Sequence, residues 1–388
     1  MSLGIYIQVP FCQTKCTYCN FHTGVVSSSR FAPYAAAVQT EIREHRSRLT
    51  SAGVELPEAL ASECVDTVYF GGGTPSLLDP AHLVGVLNSI RESFPTRFHE
   101  VTLEADPETI EAAKAEAWAA AGIDRISFGV QSFSDVELKA AGRMHCRDDV
   151  YRAVPFLHAA GIRNISFDLI AGLPHQTAKS WSNSLDELLA LAPRHVSIYL
   201  LEVDEGSRLG SELLSGGKRY SAHAVPTDDA MAESYDLARA KLASAGYEHY
   251  EISNFAKPGF ASEHNRKYWR REPYFGFGAG AHSFSGTQRW ANAHDAAAYV
   301  QSVSMGKTPV EQLELISTGQ ALEEELFLGL RQLAGINLTK IKDAYGVPVS
   351  DRFVALESSG LVERSGDIVR ISPQKLSISN EVFVELLR

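Results

Sequence analysis

Three of the five cysteines, Cys12, Cys16 and Cys19, fall at C-x3-C-x2-C spacing near the start of the chain. A short apolar run, residues 5–9, comes directly before them and reads as a strand. Pro10 ends that strand, because proline offers no N–H to a ladder. The cysteines therefore sit on a loop at the strand's C-terminal end. Three soft thiolates on one tight loop can hold three irons of a [4Fe–4S] cube. A protein that only stores an electron normally supplies four cysteines per cluster, so three leave one iron open. An open iron beside a strand end is the arrangement used when S-adenosylmethionine (SAM) chelates a cluster. One electron then cleaves the sulfonium to a 5′-deoxyadenosyl radical, and the protein binds and shields the cofactor. Zinc and redox thiols are the plainer readings. A structural zinc site asks for four ligands, often in paired C-x2-C units. Only His22 lies near enough in sequence to be the fourth, and no second pair exists. A redox pair needs no third cysteine, so the spacing favours the cluster. Cys64 and Cys146 are isolated and read as structural.

The elements that must hold this loop alternate strand and helix. A helix is expected over 33–49, ending in Arg43, Arg46 and Arg48, which suit a helix C-terminus. The strand 65–70 runs straight into Gly71-Gly72-Gly73-Thr74-Pro75, and a helix over 80–94 carries Leu83, Val86, Leu87 and Ile90 on one face. Strands follow at 101–104, 125–130, 164–169 and 195–201, with helices at 108–121 and around 184–191 between them; AAGIDRISF and AAGIRNISF are an internal echo. Alternation of this kind implies parallel strands with right-handed crossovers. Six strands favour an α/β fold of the partial (β/α)6 barrel type, with an open doubly wound sheet as the alternative. Thr74, Glu104, Gln131 and Asp168 each fall at or just beyond a strand's C-terminal end, the end that carries the site in α/β barrels. Carboxylates there also cap helices, so their agreement with the cysteine loop matters more than any one of them.

Residues 205–228 read as a long loop, and a helix to about 245 places Met231, Tyr235, Ala238 and Leu242 on one face. Residues 247–290 are aromatic and Gly-rich. The last seventy or so residues predict helices at 320–333, 338–345 and 350–359, then a strand–turn–strand at 361–371 turning at Ser365-Gly366-Asp367, a winged-helix-like order. The expected units are 1–205 as the barrel, 206–310 as its extension, and 311–388 as the winged-helix-like domain.

Composition bounds the function. The 388 residues are 45% hydrophobic and 21% charged, ordinary for a soluble globular protein. A net charge of −11 argues against broad binding to nucleic acid or anionic lipid. A DNA-binding regulator is the alternative from another class, but its recognition region, 349–359, offers Arg352 alone against Asp351 and Glu357. The opening Met1-Ser2-Leu3-Gly4 lacks a signal peptide's basic region and apolar core, and no apolar run approaches the ~20 residues of a membrane span. Reduced thiols and an oxygen-sensitive cluster point to the cytoplasm.

The motifs YxxxPFCxxxCxYC, GGGTP, LEADP, GVQSF, Gly142-Arg143 and DLIAGLP together resemble the radical SAM superfamily in its coproporphyrinogen III dehydrogenase-like branch, over nearly the whole chain. The resemblance implies that Cys12, Cys16 and Cys19 bind the cluster, that Tyr18 packs near the adenine, and that Tyr6 contacts the cofactor. It assigns Gly72, Gly73 and Thr74 to the amino-acid end of SAM, where absent side chains let backbone approach. It assigns Glu104, Gln131, Arg143 and Asp168 to the SAM carboxylate and ribose. Gln8 stands where most relatives have His, which removes a proton-relay group from that strand.

Two functions compete within this branch: the oxygen-independent coproporphyrinogen III dehydrogenase, and the HemW-type haem chaperone that delivers haem to target proteins. Phe21 stands where the dehydrogenase has a further cysteine, and only five residues precede Tyr6 where it has a long extension. His264-Asn265-Arg266-Lys267-Tyr268-Trp269 matches the HNxxYW motif that marks the chaperones. The resemblance thus implies haem contacts at His264, Asn265, Tyr268 and Trp269, with no dehydrogenase activity. It implies as partners haem and haem-acceptor proteins of the respiratory kind, with membrane contact at most peripheral. Tyr268, Trp269 and Phe275 would wall the macrocycle, Arg266, Lys267, Arg270 and Arg271 would meet its propionates, and His264 or His282 would ligate iron. Composition alone favours a packed aromatic cluster with a core histidine.

Overall fold

The computed structural model describes residues 2–386. Its centre is six parallel strands: β1 (Leu3–Val9), β2 (Val65–Gly72), β3 (Thr96–Ala105), β4 (Arg125–Gln131), β5 (Asn164–Ala171) and β6 (His195–Leu200). They pair in chain order, β1 to β6, each parallel to the next. Side chains alternate across a strand, and here the two faces have opposite chemistry. Outward, Ile5, Val68, Leu103, Ile126, Phe167 and Ile198 are buried against helices such as Phe31–Arg43, Pro80–Ser93 and Ala178–Leu191. Inward, the buried residues are polar: Thr67, Thr102, Ser127, Ser166 and Ser197, with Arg125 among them and Glu100 and Asp168 as its counter-charges. A doubly wound sheet would need apolar residues on both faces. The polar inner face settles the choice for a partial barrel.

Further strands extend both edges. β7 (Glu248–Glu251) and β8 (Asn254–Ala256) add antiparallel beside β6. β9 (Tyr274–Phe277) lies parallel to β1, a seventh parallel strand. β10 (His282–Phe284), β11 (Gln288–Asn292) and β12 (Val310–Leu315) continue antiparallel from it. The result is one twelve-stranded sheet whose ends do not meet. Residues 248–315 therefore complete the barrel's own sheet.

Three expectations shift. The single helix over 33–49 is two, Phe31–Arg43 and His45–Ser51, because Glu44 leaves helical angles between them. The long loop over 205–228 contains the helix Arg208–Leu214, started by the Ser207 hydroxyl accepting from Gly210 N–H at 2.9 Å. β5 runs two residues beyond its expected end, which puts Asp168 inside the barrel rather than at its rim.

At the C-terminus, helices Thr318–Arg331 and Leu338–Tyr345 and the turn of helix Val354–Ser358 pack with three short antiparallel strands, Ile336–Asn337, Val362–Ser365 and Ile368–Ile371. Gly366, at φ 60°, makes the hairpin turn. This winged-helix-like unit is tied to the barrel through Arg331–Glu251 at 2.6 Å and Arg271–Glu324 at 2.9 Å. Among the described residues no helix is long and apolar enough to cross a membrane.

Candidate functional site

The cysteine loop is tied down by segments remote in sequence. Thr17 N–H donates to Ala141 C=O at 2.9 Å, Leu209 N–H to Thr17 C=O at 2.8 Å, and the Asn20 amide to Asp204 at 2.6 Å. The glycine turn after β2 clasps it from the other side: Gly73 N–H donates to Val9 C=O and Thr74 N–H to Phe11 C=O, both at 2.7 Å. A Cβ on Gly73 would stand 2.4 Å from Phe11 O, and one on Gly72 would stand 2.4 Å from the Gln8 amide. These glycines are thus required by the approach of the cysteine loop and of Gln8, and not only by a cofactor.

A cavity of about 510 Å³ opens at the C-terminal ends of the strands, within the range of small-molecule sites. Its walls bring together Cys12, Cys16, Cys19, Tyr18, Gly72, Gly73, Thr74, Glu104, Gln131, Arg143 and Asp168. Tyr6 is the exception. It does not line the cavity; its hydroxyl donates to Gln8 Oε1 at 2.7 Å and its ring stacks on Tyr69 at 6.0 Å.

The donor set suits a cluster. Three thiols share one wall, and a guanidinium nitrogen of Arg143 stands 3.5 Å from Cys16 Sγ, a cation placed to balance anionic sulfurs. No three His, Cys, Asp or Glu among the described residues converge on a single-ion point, as zinc would require. His22 turns away, its ring 4.6 Å from that of His294.

The acids that face the cysteine loop from the strand ends are held by specific donors. Arg143 pairs with Asp106 and donates to Gly129 C=O at 2.9 Å. Thr74 donates to the other Asp106 oxygen at 3.1 Å. Burial, with the nearby Asp168 charge adding to it, pushes the Glu104 carboxyl up to about 7. Donors at Tyr69 Oη, 2.9 Å, and Gly72 N, 3.0 Å, hold it in place. Asp168 is also raised by burial, against hydroxyls from Ser197, Ser127 and Ser166. Gln131 has φ 62°, strained for a residue with a side chain, where the β4–β5 register shifts. That strain carries its amide over Gly129 toward Arg143 and Asp106.

The HNxxYW segment forms the helix Glu263–Trp269, away from the cavity. Glu100 starts it, accepting from Ser262 Oγ and from the N–H groups of Glu263 and His264 at 3.0–3.2 Å. His264 is fully buried. Its Nδ1 meets Thr67 Oγ1 at 2.9 Å and its Nε2 meets Tyr268 Oη at 2.8 Å. Burial first, then Lys267 and Arg125, lower it to about 3, so the imidazole is neutral and has no free nitrogen for iron. Several of the other expected haem contacts are engaged within the fold. Asn265 N–H caps onto Ser262, Trp269 packs 5.9 Å from Tyr250, Phe275 is buried core, Lys267 pairs with Asp66 and Arg271 with Glu324. In this arrangement the segment plugs the polar interior of the barrel.

Asp106, Tyr199, Ser253 and Arg331 line the cavity and were not singled out from sequence. Asp106 stood within the quoted LEADP motif, and Tyr199 follows from the inward period-2 positions of β6. Ser253 and Arg331 carried no sequence signal.

The chain matches the Radical SAM superfamily model over residues 6–188 and the HemN C-terminal domain model over residues 316–374. It is 34% identical to "Heme chaperone HemW" of Bacillus subtilis (strain 168), over 97% of each chain. It is 35% identical to the Escherichia coli (strain K12) protein of the same name, over 72% of this chain and 69% of that one. In fold it is similar to coproporphyrinogen III oxidase (HemN) from Escherichia coli, with a TM-score of 0.83 and 20% identity over 99% of this chain and 90% of that one.

Proposed function

Since the chain belongs to the radical SAM superfamily, and within it to the heme chaperone HemW family, we propose that it binds haem and hands it to acceptor proteins. The observation that carries this reading is the end-to-end match to a named heme chaperone, 34% identical over 97% of each chain. Membership of the superfamily brings a [4Fe–4S] cluster and SAM.

Cys12, Cys16 and Cys19 would hold that cluster, which supplies an electron and an open iron for the cofactor when bound. The remaining residues bind and orient. Glu104 and Asp168, one strand end above one strand middle, accept hydrogen bonds from ribose hydroxyls. The backbone of Gly72, Gly73 and Thr74 faces the amino-acid end of SAM, and Tyr18 covers the adenine. Gln131 and Arg143 serve the carboxylate, with Asp106 fixing the Arg143 guanidinium beside Cys16. Acceptors of the respiratory kind, a cytoplasmic setting and no more than peripheral membrane contact fit this reading. The winged-helix-like unit, with Arg352 against Asp351 and Glu357, serves docking rather than nucleic acid.

The test is an anaerobic haemin titration of the reconstituted protein, alongside product analysis with coproporphyrinogen III. We expect a saturable site with a Soret band and no divinyl product. Turnover of coproporphyrinogen III, or no saturable haem site, overturns the proposal.

A further inference from the structure

Gln131 and Arg143, which serve the SAM carboxylate in the reading above, stand at the two ends of one short stretch of chain. Gln131 closes β4 with φ at 62°. Ser132 follows, then the helix Asp135–Ala140, then Arg143, whose N–H donates to Leu138 C=O at 2.9 Å. The same stretch holds the cysteine loop, because Ala140 C=O accepts from the Thr17 hydroxyl at 3.3 Å and Ala141 C=O from its N–H at 2.9 Å. A helix of six residues is not stable by itself, so its placement depends on what pins it. At its centre is Glu137, a carboxyl 1% exposed. Ser132 Oγ donates to Glu137 Oε2 at 2.7 Å, and Gln176 Nε2 donates to the same oxygen at 3.0 Å. Glu137 Oε1 meets no donor among the described residues, so these two bonds are what satisfies the carboxyl. Gln176 belongs to the loop after β5 and uses its whole amide. Its Oε1 accepts from Gly172 N–H at 2.6 Å, and its Nε2 also reaches Ile170 C=O at 3.1 Å.

We propose that Glu137 and Gln176 are a positioning pair for SAM, setting where Gln131 and Arg143 stand relative to Asp168. The proposal rests on the SAM site described above and adds what holds its two halves in register. Asp168, at the ribose end, lies on β5, and Gln176 is tied to the end of that strand through Ile170 and Gly172. The carboxylate end hangs on Glu137, midway between Gln131 and Arg143. The bond from Gln176 to Glu137 is a side-chain link between the two halves. None of Ser132, Glu137 and Gln176 lines the cavity, so the pair acts through the residues it places and not by touching the ligand. A buried carboxyl that loses one of its two donors has to shift toward another or bear the cost of an unmade bond. A binding site tolerates little of this, since its supporting shell has to hold it to within about 0.5 Å.

The experiment uses the full chain, anaerobically reconstituted, with SAM as the probe in calorimetry and in the EPR spectrum of the reduced cluster. Gln176→Met keeps the shape of the side chain and removes every bond of the amide. It should retain the iron and sulfide of wild type, bind SAM at least about tenfold more weakly, and show a smaller SAM-induced EPR shift. Glu137→Gln keeps an acceptor oxygen for Ser132 and Gln176 and should bind SAM within about twofold of wild type. A pair that only stabilised the fold would lower the urea midpoint of Gln176→Met and leave SAM affinity and the EPR shift unchanged. That result overturns the proposal, as does an equal loss of affinity in Glu137→Gln. Should Gln176→Met fail to fold, Ser132→Ala, which removes one bond to Glu137, takes its place: weaker SAM binding supports the pair and wild-type affinity refutes it. If the wild-type protein itself binds no SAM, the SAM-site reading fails and takes the pair with it; if wild type binds SAM and the variants match it, only the pair is refuted.

Discussion

Replacing Gly73 with alanine should empty the cluster site without touching a single cysteine. The new Cβ would lie 2.4 Å from Phe11 O and 2.9 Å from Phe11 C and N. Carbon and carbonyl oxygen ordinarily meet no closer than ~3.3 Å, so the intrusion is roughly 1 Å. The obstructing atoms are backbone, and no rotamer change relieves them. Either the Phe11 segment or the end of β2 must move, and both hydrogen bonds that clasp the loop, Gly73 to Val9 and Thr74 to Phe11, stretch. Overpacking costs about 1–3 kcal/mol and each weakened bond about 0.5–1.5 kcal/mol, so we expect about 3 kcal/mol of destabilisation. Cys12 follows Phe11 directly, so the same movement takes a thiol off the cavity wall. Gly161→Ala is the comparison. Gly161 has φ 92° and nothing within 4 Å, so alanine there meets only left-handed strain of about 1–2 kcal/mol. Both variants should shift in urea denaturation, but only Gly73→Ala should lose iron and sulfide after anaerobic reconstitution. Full iron content in Gly73→Ala, or equal loss in Gly161→Ala, would refute steric coupling between turn and loop.

Three further outcomes are expected. Asp168→Ala should weaken SAM binding by about 1–3 kcal/mol in calorimetry while the cluster stays intact; unchanged affinity would take Asp168 out of the site. Glu104 sits at about 7 when folded against an ordinary 4.5, so between those values the folded chain holds a proton that the unfolded chain has shed. The stability this brings is full below 4.5 and lost as pH rises through about 7, a gap that bounds it at about 3 kcal/mol. Glu104→Gln should therefore stabilise the cluster-free protein more at pH ~8 than at pH ~5, and an equal gain at both would contradict the account. His264→Ala strands Thr67 and Tyr268 inside the barrel and should cost about 2–4 kcal/mol in urea denaturation; a variant as stable as wild type would contradict this packing account.

The central strands and the cavity were legible because each depends on local pattern. β-branched runs followed by glycine or proline mark strand ends, and the motif residues given a cluster or SAM role in advance, Glu104 and Arg143 among them, line the cavity with the exception of Tyr6. Tyr6 shares the inner face but not the cavity lining, because a strand's alternation decides which face a residue takes but not how deep in the barrel it stands. The burial of His264 was hidden for a related reason. Its neighbours, Tyr268 and Trp269, have the composition of a ligand pocket, yet Glu100, 164 residues earlier, draws their helix inward. Sequence separation of that size leaves no local trace. Asp106 shows the opposite failure, since it was visible in LEADP and only its tie to Arg143 was missing. The polar inner face was readable in principle from Ser127, Ser166 and Ser197, one on each successive strand.

The pairing of β9 with β1 has a consequence for how the molecule is made. β1 leaves the ribosome long before one of its two neighbours, which begins at Tyr274. Until that point is synthesised, one edge of an apolar strand stays open to other chains, a hazard for aggregation. The loop behind β1 is similarly delayed, because Thr17 waits for Ala141 and for Leu209. At ~5–20 residues per second that wait is on the order of ten seconds or more. Iron offered to a nascent chain would meet three cysteines on an unfixed loop. Metal loading therefore belongs after Leu209 has emerged, and a chain truncated before Leu209 should carry an intact motif and an unfilled site.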